Sequence, residues 1–292
     1  MPDNNTILSR LFTRRTIRSL ISCEEDISVF FKVVRRYNLP YNGNTSNGEM
    51  ISEIYQYIAD SYRNEYLYKN TLLNKLIINA HRLNTTVALT EVPIANSKAD
   101  FIMINGKAVV YEIKTELDTF ERLETQIRDY YKAFDHVCIV TSEAQEFELL
   151  EKLNGTPVGL YVLTKRNTIK KIKEPETYCK NIDKSVMFKI LNKHEYESIV
   201  EALYGSLPDV KPVKYYRECM RLACESPIEQ FYPLFLKELK KRNKIDIIDF
   251  SVIPDALRFL VYFSKYNDKD YKQLIAFLNA PYREDGNVLS DT

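Results

Sequence analysis

The chain has 292 residues, 45% of them hydrophobic and 28% charged, with a net charge of +1 and only seven glycines. That balance reads as a globular protein of one or two domains, long enough for a sizeable core. It lacks the global positive charge that advertises nucleic acid, so any such binding must use local clusters.

No G-x-x-x-x-G-K-[ST], G-x-G-x-x-G or G-x-S-x-G occurs, which argues against P-loop, Rossmann and hydrolase-elbow chemistry. The five cysteines, Cys23, Cys138, Cys179, Cys219 and Cys224, are odd in number and never in C-x-x-C spacing. A disulfide framework or zinc ribbon is not expected, and a reducing compartment fits. His81, His136 and His194 are far apart and form no metal-binding pair. The start, MPDNNTILSR, lacks an apolar signal core, and the longest apolar runs are too short for a bilayer. The expectation is a cytoplasmic protein with no membrane partner.

In chain order, residues 7–38 carry helix-spaced apolar positions at Leu8, Leu11, Ile17 and Leu20, then at Ile27, Phe30, Phe31 and Val34. Arg10, Arg14, Arg15 and Arg18, and then Lys32, Arg35 and Arg36, read as solvated helix faces; a phosphate-contacting arm is the alternative. Residues 39–48, LPYNGNTSNG, form a turn-rich connector. Residues 49–83 read as one or two long helices. There Glu65 is followed by Lys69, Leu72 and Leu76, so it lies on a stripe that becomes apolar. An acid facing a core needs a partner or a metal; a surface Glu65–Lys69 pair explains it equally well. Residues 86–94 read as a strand, with Glu91 near its end and Pro93 suggesting departure from the sheet.

Next comes KADFIMINGKAVVYEIK, Lys98 to Lys114. Asn105-Gly106 between two apolar runs is a strong hairpin signal. Asp100 opens the first arm, and Glu112-Ile113-Lys114 closes the second. A strict two-residue loop pairs Asp100 with Tyr111 and splays the acids onto opposite faces. A three-residue loop, Ile104 to Gly106 with a left-handed glycine, pairs Asp100 with Val110 and leaves Glu112 on the same face. An ordinary half-buried strand with a solvated face shows the same alternation.

Beyond Lys114, Asp118 and Glu121 have capping-box spacing before a helix with Phe120, Leu123, Ile127, Tyr131 and Phe134 as its apolar stripe. Gln126 and Tyr130 share a face of it. His136 to Thr141 reads as a buried parallel strand; a helix, Ala144 to Leu153, and a strand, Val158 to Thr164, follow. Lys170, Lys171 and Lys173 extend the sheet. Residues 183–292 read as mostly helical, with a basic helix end at Lys237, Lys240, Lys241, Arg242 and Lys244 that complements the helix dipole; nucleic-acid contact is the alternative. Asp285 to Thr292 reads as a frayed tail.

An acid on one strand, E-x-K on the next and Q-x-x-x-Y on the following helix resemble the PD-(D/E)XK nuclease superfamily. The order helix, strand, strand, strand, helix, strand over roughly 50–165 is similar to its core. Ala99 stands where the motif usually has Pro. The resemblance implies an α/β fold, a mixed sheet flanked by helices, with helical extensions at both ends. It divides the chain into segments 1–48, 49–175 and 176–292.

The resemblance also implies an enzyme: a Mg²⁺- or Mn²⁺-dependent nuclease acting on nucleic acid, DNA favoured over RNA, in restriction, repair or phage defence. Asp100, Glu112 and the Ile113 carbonyl would hold the metal. Lys114 would orient the attacking water, and Gln126 and Tyr130 would position the phosphate. Glu65, or less favourably Glu91, would add a further acid. The alternatives are a catalytically silent nuclease fold used for binding, and a helical interaction protein with a structural hairpin. Strand number, endo- or exonucleolytic action and oligomeric state stay open.

Overall fold

The computed structural model describes residues 6–22, 28–80, 83, 85–243 and 249–283. Cys23, His81, Lys244 and the tail from Asp285 therefore lie outside the described residues. The chain forms two compact units: residues 1–81 with 165–168 and 245–292, and residues 82–164 with 169–244. This division cuts across the three consecutive segments expected from the sequence.

The first unit is helical. Its helices are α1 (Thr6–Leu11), α2 (Arg14–Ser22), α3 (Ser28–Arg36), α4 (Asn47–Ser61), α5 (Glu65–Leu73), which runs into a π-helical turn at Asn74–Ile78, α12 (Arg258–Phe263) and α13 (Asp268–Asn279). Ser46 and Glu49 exchange the bonds of a capping box and start α4. Leu8, Leu11, Ile17, Leu20, Phe30, Ile54 and Leu72 supply the buried face that the periodicity foretold. Segments 45–47 and 280–282 are joined here by backbone bonds, Asn47 to the Ala280 carbonyl and Tyr282 to the Thr45 carbonyl. Asn70, fully buried, clips α5 to the start of α12: its amide donates to Asp255 and Tyr55 and accepts from the Phe259 N–H.

The second unit is built on a six-stranded mixed sheet in the order β1 (Val87–Ile94), β2 (Ser97–Asn105), β3 (Lys107–Lys114), β4 (His136–Ser142), β5 (Gly159–Leu163), β6 (Ile169–Lys173). β1 to β3 form an antiparallel meander, β3, β4 and β5 are parallel, and β6 returns antiparallel. α6 (Leu123–Tyr130) and α7 (Glu146–Lys152) make the crossovers that parallel pairing requires. β4, with the apolar stretch Val137 to Val140 at its centre, is buried along its whole length.

After the sheet come α8 (Lys184–Ile190), α9 (Lys193–Tyr204), α10 (Pro212–Glu225) and α11 (Ile228–Lys240). Met187, Phe188, Ile199, Phe231, Phe235 and Leu239 from these helices share one core with Val110, Ile139 and Leu160 of the sheet. That shared core makes them part of the sheet unit. The chain is thus α/β, a mixed sheet flanked by helices, with helices toward both ends. Among the described residues no helix is long and apolar enough to cross a membrane.

Several expectations shift. Pro93 does not lead the chain out of the sheet; it lies opposite Lys98, and β1 continues to Ile94. Proline is tolerated because β1 is an edge strand. Asp118 does not cap α6. Its carboxylate accepts from the Thr115 N–H and hydroxyl, which holds the turn after β3 and delays the helix to Leu123. At the basic end of α11, Lys241 pairs with Glu238 and Arg242 with Glu195, so the structural reading accounts for both cations.

Candidate active site

The site begins with the reversal at Gly106. Its φ of +72° is the left-handed conformation that glycine adopts without steric cost. The chain turns across Asn105, Gly106 and Lys107, and Ile104 faces Ala108. The loop is odd-numbered, as acids on one face require, but it is centred one residue later than Ile104–Gly106. The register runs to Phe101 opposite Tyr111, so Asp100 stands abreast of Glu112 rather than of Val110. Here the ladder opens. Asp100 Oδ2 takes the Ile113 N–H at 2.9 Å, and its backbone carbonyl accepts from the Thr90 hydroxyl at 2.8 Å.

Glu112 and Lys114, two apart on β3, point to one face and are almost wholly buried, 2% and 7% exposed. Lys114 Nζ donates to Glu112 Oε1 at 2.9 Å and to Gln126 Oε1 at 2.8 Å. The Gln126 amide also donates to Glu112 Oε1. The Tyr130 hydroxyl lies 2.5 Å from Glu112 Oε2 and 3.0 Å from the Lys98 carbonyl. One turn of α6 therefore aims Gln126 and Tyr130 at the same carboxylate. Burial first, then the charge of Glu112 and its hydrogen bond, then the charge of Asp100, push the Tyr130 phenol well above its ordinary range. It stays a donor.

The structure thus brings Asp100, Glu112, Ile113, Lys114, Gln126 and Tyr130 together. Glu65 belongs to the helical unit, at the first turn of α5, where its carboxylate pairs with Lys69 at 2.5 Å.

Two more residues belong here: Glu91, the less favoured candidate for the further acid, and Asp129, which the sequence reading did not single out. Glu91 falls abreast of Asp100 in the β1–β2 register, between the pairs Thr90–Phe101 and Val92–Ala99. Its φ is +57°, rare and strained for a residue with a side chain. The two carboxylates present oxygens within 4.8 Å of each other, and Glu91 is also paired with Lys98. Asp129, 1% exposed, accepts from the Asn96 N–H, the Ser97 hydroxyl and Lys132, tying the β1–β2 turn to α6 beside Tyr130. That turn has Ala95 at φ +53° and no glycine, so the usual hairpin signal was absent.

Two larger cavities of this unit lie away from these groups. One, of about 840 Å³, is lined by Phe147, Leu150, Thr177 and Tyr178; the other, of about 700 Å³, by Phe120, Ile127, Tyr131 and Tyr178. Neither is lined by a carboxylate of the hairpin, and the chemistry of the cluster rather than the size of a cavity marks the site.

Comparison with known proteins gives a match between residues 59–251, about two thirds of the chain, and the family described as bacteriophage P4 protein cII. A relative is Protein cII of Enterobacteria phage P4, 22% identical over 191 residues, which are 64% of this chain and 67% of that protein. No solved structure matches the chain.

Proposed function

The chain belongs to the bacteriophage P4 protein cII family, and we propose that it acts as a metal-dependent nuclease, hydrolysing phosphodiester bonds with DNA favoured over RNA. One observation carries the reading: Asp100, Glu112 and Lys114 converge at the open end of the hairpin, with Gln126 and Tyr130 against them. The donors suit a hard divalent cation, because Mg²⁺ and Mn²⁺ take carboxylate oxygens and Asp100 and Glu91 offer them within 4.8 Å of each other. Glu112 and the Ile113 carbonyl complete the proposed set. Such a cation, when bound, lowers the pKa of a coordinated water and offsets phosphate charge.

The remaining work falls to the chain. Lys114 has three N–H donors; two meet Glu112 and Gln126, and the third is assigned to the attacking water or a phosphate oxygen. Gln126 and Tyr130 keep the Glu112 carboxylate in one orientation, which sets Lys114 in turn. Glu65 and Glu91 are the two candidates for the additional acid, and each is paired with a lysine, Lys69 and Lys98 respectively.

The saturation of Glu112 also favours a second reading, a catalytically silent nuclease fold used as a binding module. Both its oxygens are hydrogen-bonded within the chain, and a structural role would explain that too. Cleavage decides. Supercoiled plasmid, linear duplex, single-stranded DNA and RNA are each incubated with Mg²⁺, Mn²⁺ or EDTA, with wild type beside Lys114→Ala. The expected result is metal-dependent cutting by wild type that falls by at least about 100-fold in the variant. Glu91→Gln and Glu65→Gln are each expected to lower the rate of metal-dependent cutting. No cutting of any substrate would leave the binding module as the reading.

A further inference from the structure

Ten large hydrophobic side chains are exposed among the described residues, and five of them fall within residues 204–216: Tyr204, Leu207, Val210, Val213 and Tyr216. They recur at steps of three. Residues 207–211 have no regular hydrogen bonding, and Lys211, at φ −54° and ψ 141°, has the backbone of a polyproline-like segment. Such a segment repeats every three residues. On α10 a step of three follows one slanted ridge of the helix. The five exposed apolar side chains thus form a row in sequence, through the end of α9, the connector and the start of α10.

A second row runs beside it, one residue on: Lys211, Lys214 and Arg217, all exposed. Some cations of this unit are held by acids. Arg221 is held by Glu218 and Glu225, Lys241 by Glu238 and Arg242 by Glu195. The side chains of Lys211, Lys214 and Arg217 have no carboxylate or hydrogen-bond partner among the described residues. The row is charged, solvated and uncompensated, which suits a polyanion.

Beside the cations, Tyr216 is 47% exposed, with its inner edge packed against Phe188 and Tyr196. Tyr204 is pinned by a bond from its hydroxyl to the Leu222 carbonyl. These rings are held in place by the fold and open to solvent.

We infer that residues 204–217 form a track for single-stranded nucleic acid, with the sugar-phosphate backbone on Lys211, Lys214 and Arg217 and unstacked bases against Tyr216 and the apolar row. The charge row alone would accept any polyanion; the aromatic and apolar row beside it selects one with exposed flat faces, which a duplex keeps inside its stack. The inference deepens the nuclease reading, and rests on it in taking nucleic acid as the relevant polyanion.

The test is a fluorescence-anisotropy titration of the full chain with labelled oligothymidylate of roughly 20 nucleotides, above the ~4–16-nucleotide sites of single-strand-binding folds. EDTA is present, so nothing is cut. Lys211→Gln/Lys214→Gln/Arg217→Gln is expected to weaken binding at least about tenfold and to flatten the slope of log affinity against log salt by about 2, for three lost phosphate contacts. Tyr216→Ala is expected to weaken binding with the slope unchanged. The three cations are solvent-facing and Tyr216 is half exposed, and unaltered circular dichroism would confirm that the variants fold.

The track is overturned if the triple variant binds like wild type. It is also overturned if a duplex binds as tightly with the same losses, or if an acidic peptide of matched charge competes as well as the oligonucleotide. A wild type that binds here but never cuts sinks the catalytic reading alone. One that cuts, and binds independently of residues 211–217, sinks this inference alone.

Discussion

Glu112 concentrates the physics of the site in one side chain. It is buried, accepts from Lys114, Gln126 and Tyr130, and has little water to fall back on. Removing one member of such a pair is worse than removing both, because a lone buried charge keeps its desolvation cost. Glu112→Ala is therefore expected to destabilise by about 3–5 kcal/mol, and Glu112→Ala/Lys114→Met by less, as urea midpoints would report. A double variant no more stable than Glu112→Ala would mean that Lys114 finds water on its own. Tyr130→Phe leaves Glu112 Oε2 short of a donor and should cost about 1–3 kcal/mol. The cluster was legible because its members lie at fixed short spacings: two apart on a strand, four apart on a helix. The partner of Asp100 on the other strand, Glu91, was not, since its placement depends on a turn without glycine.

At the scale of the element, two glycines answer to different demands. Gly106 needs its left-handed φ, yet a Cβ there would meet nothing within 4 Å. Gly106→Ala should cost only the backbone term, about 1–2 kcal/mol. Gly159 has no such φ, but a Cβ there would sit 2.7 Å from Pro175, its nitrogen and Cδ alike. Gly159→Ala must push β5 from the segment after β6, and about 1–3 kcal/mol of overpacking is expected. Urea titration of the pair separates the causes. Adding Pro175→Ala should relieve only part of the Gly159→Ala loss, because the backbone nitrogen at 2.7 Å stays, and should leave Gly106→Ala unchanged. Strands and hairpin were legible from alternation and from Asn105-Gly106. The centring of the turn was not, because several loop lengths satisfy the same residues and cross-strand packing selects among them.

Across the molecule, several acids of the sheet unit are held in their charged form. At Asp129 burial works against ionisation, but bonds from Lys132 and Ser97 outweigh it. At Asp135 the bonds from His136 and Tyr232 do the same, and at Glu195 those from Arg242. Asp183, bonded by Ser185 at the start of α8, is lowered as well. Each has a folded-state pKa below its unfolded value, so its stabilisation is complete above the ordinary carboxylate range of about 4 and fades as pH falls through it. The urea midpoint should hold near neutrality and drop from about pH 5 downward. The gap between wild type and Glu195→Gln should narrow over the same interval. A gap that stayed constant would remove the Glu195–Arg242 pair from the account.

What the sequence determined by itself was local: helix and strand periodicity, a hairpin at Asn105-Gly106, and an acid, E-x-K and Q-x-x-x-Y in chain order. Those patterns depend on side-chain direction every two or every 3.6 residues, which the chain carries wherever it folds. The tertiary structure decided which distant segments share a core. Residues 249–283 join the N-terminal helices through Asn70 and the Ala280 carbonyl, and α8 to α11 join the sheet. It also decided that Glu91 stands beside Asp100. Such pairings depend on burial and register across gaps of tens to hundreds of residues, where no periodicity reaches.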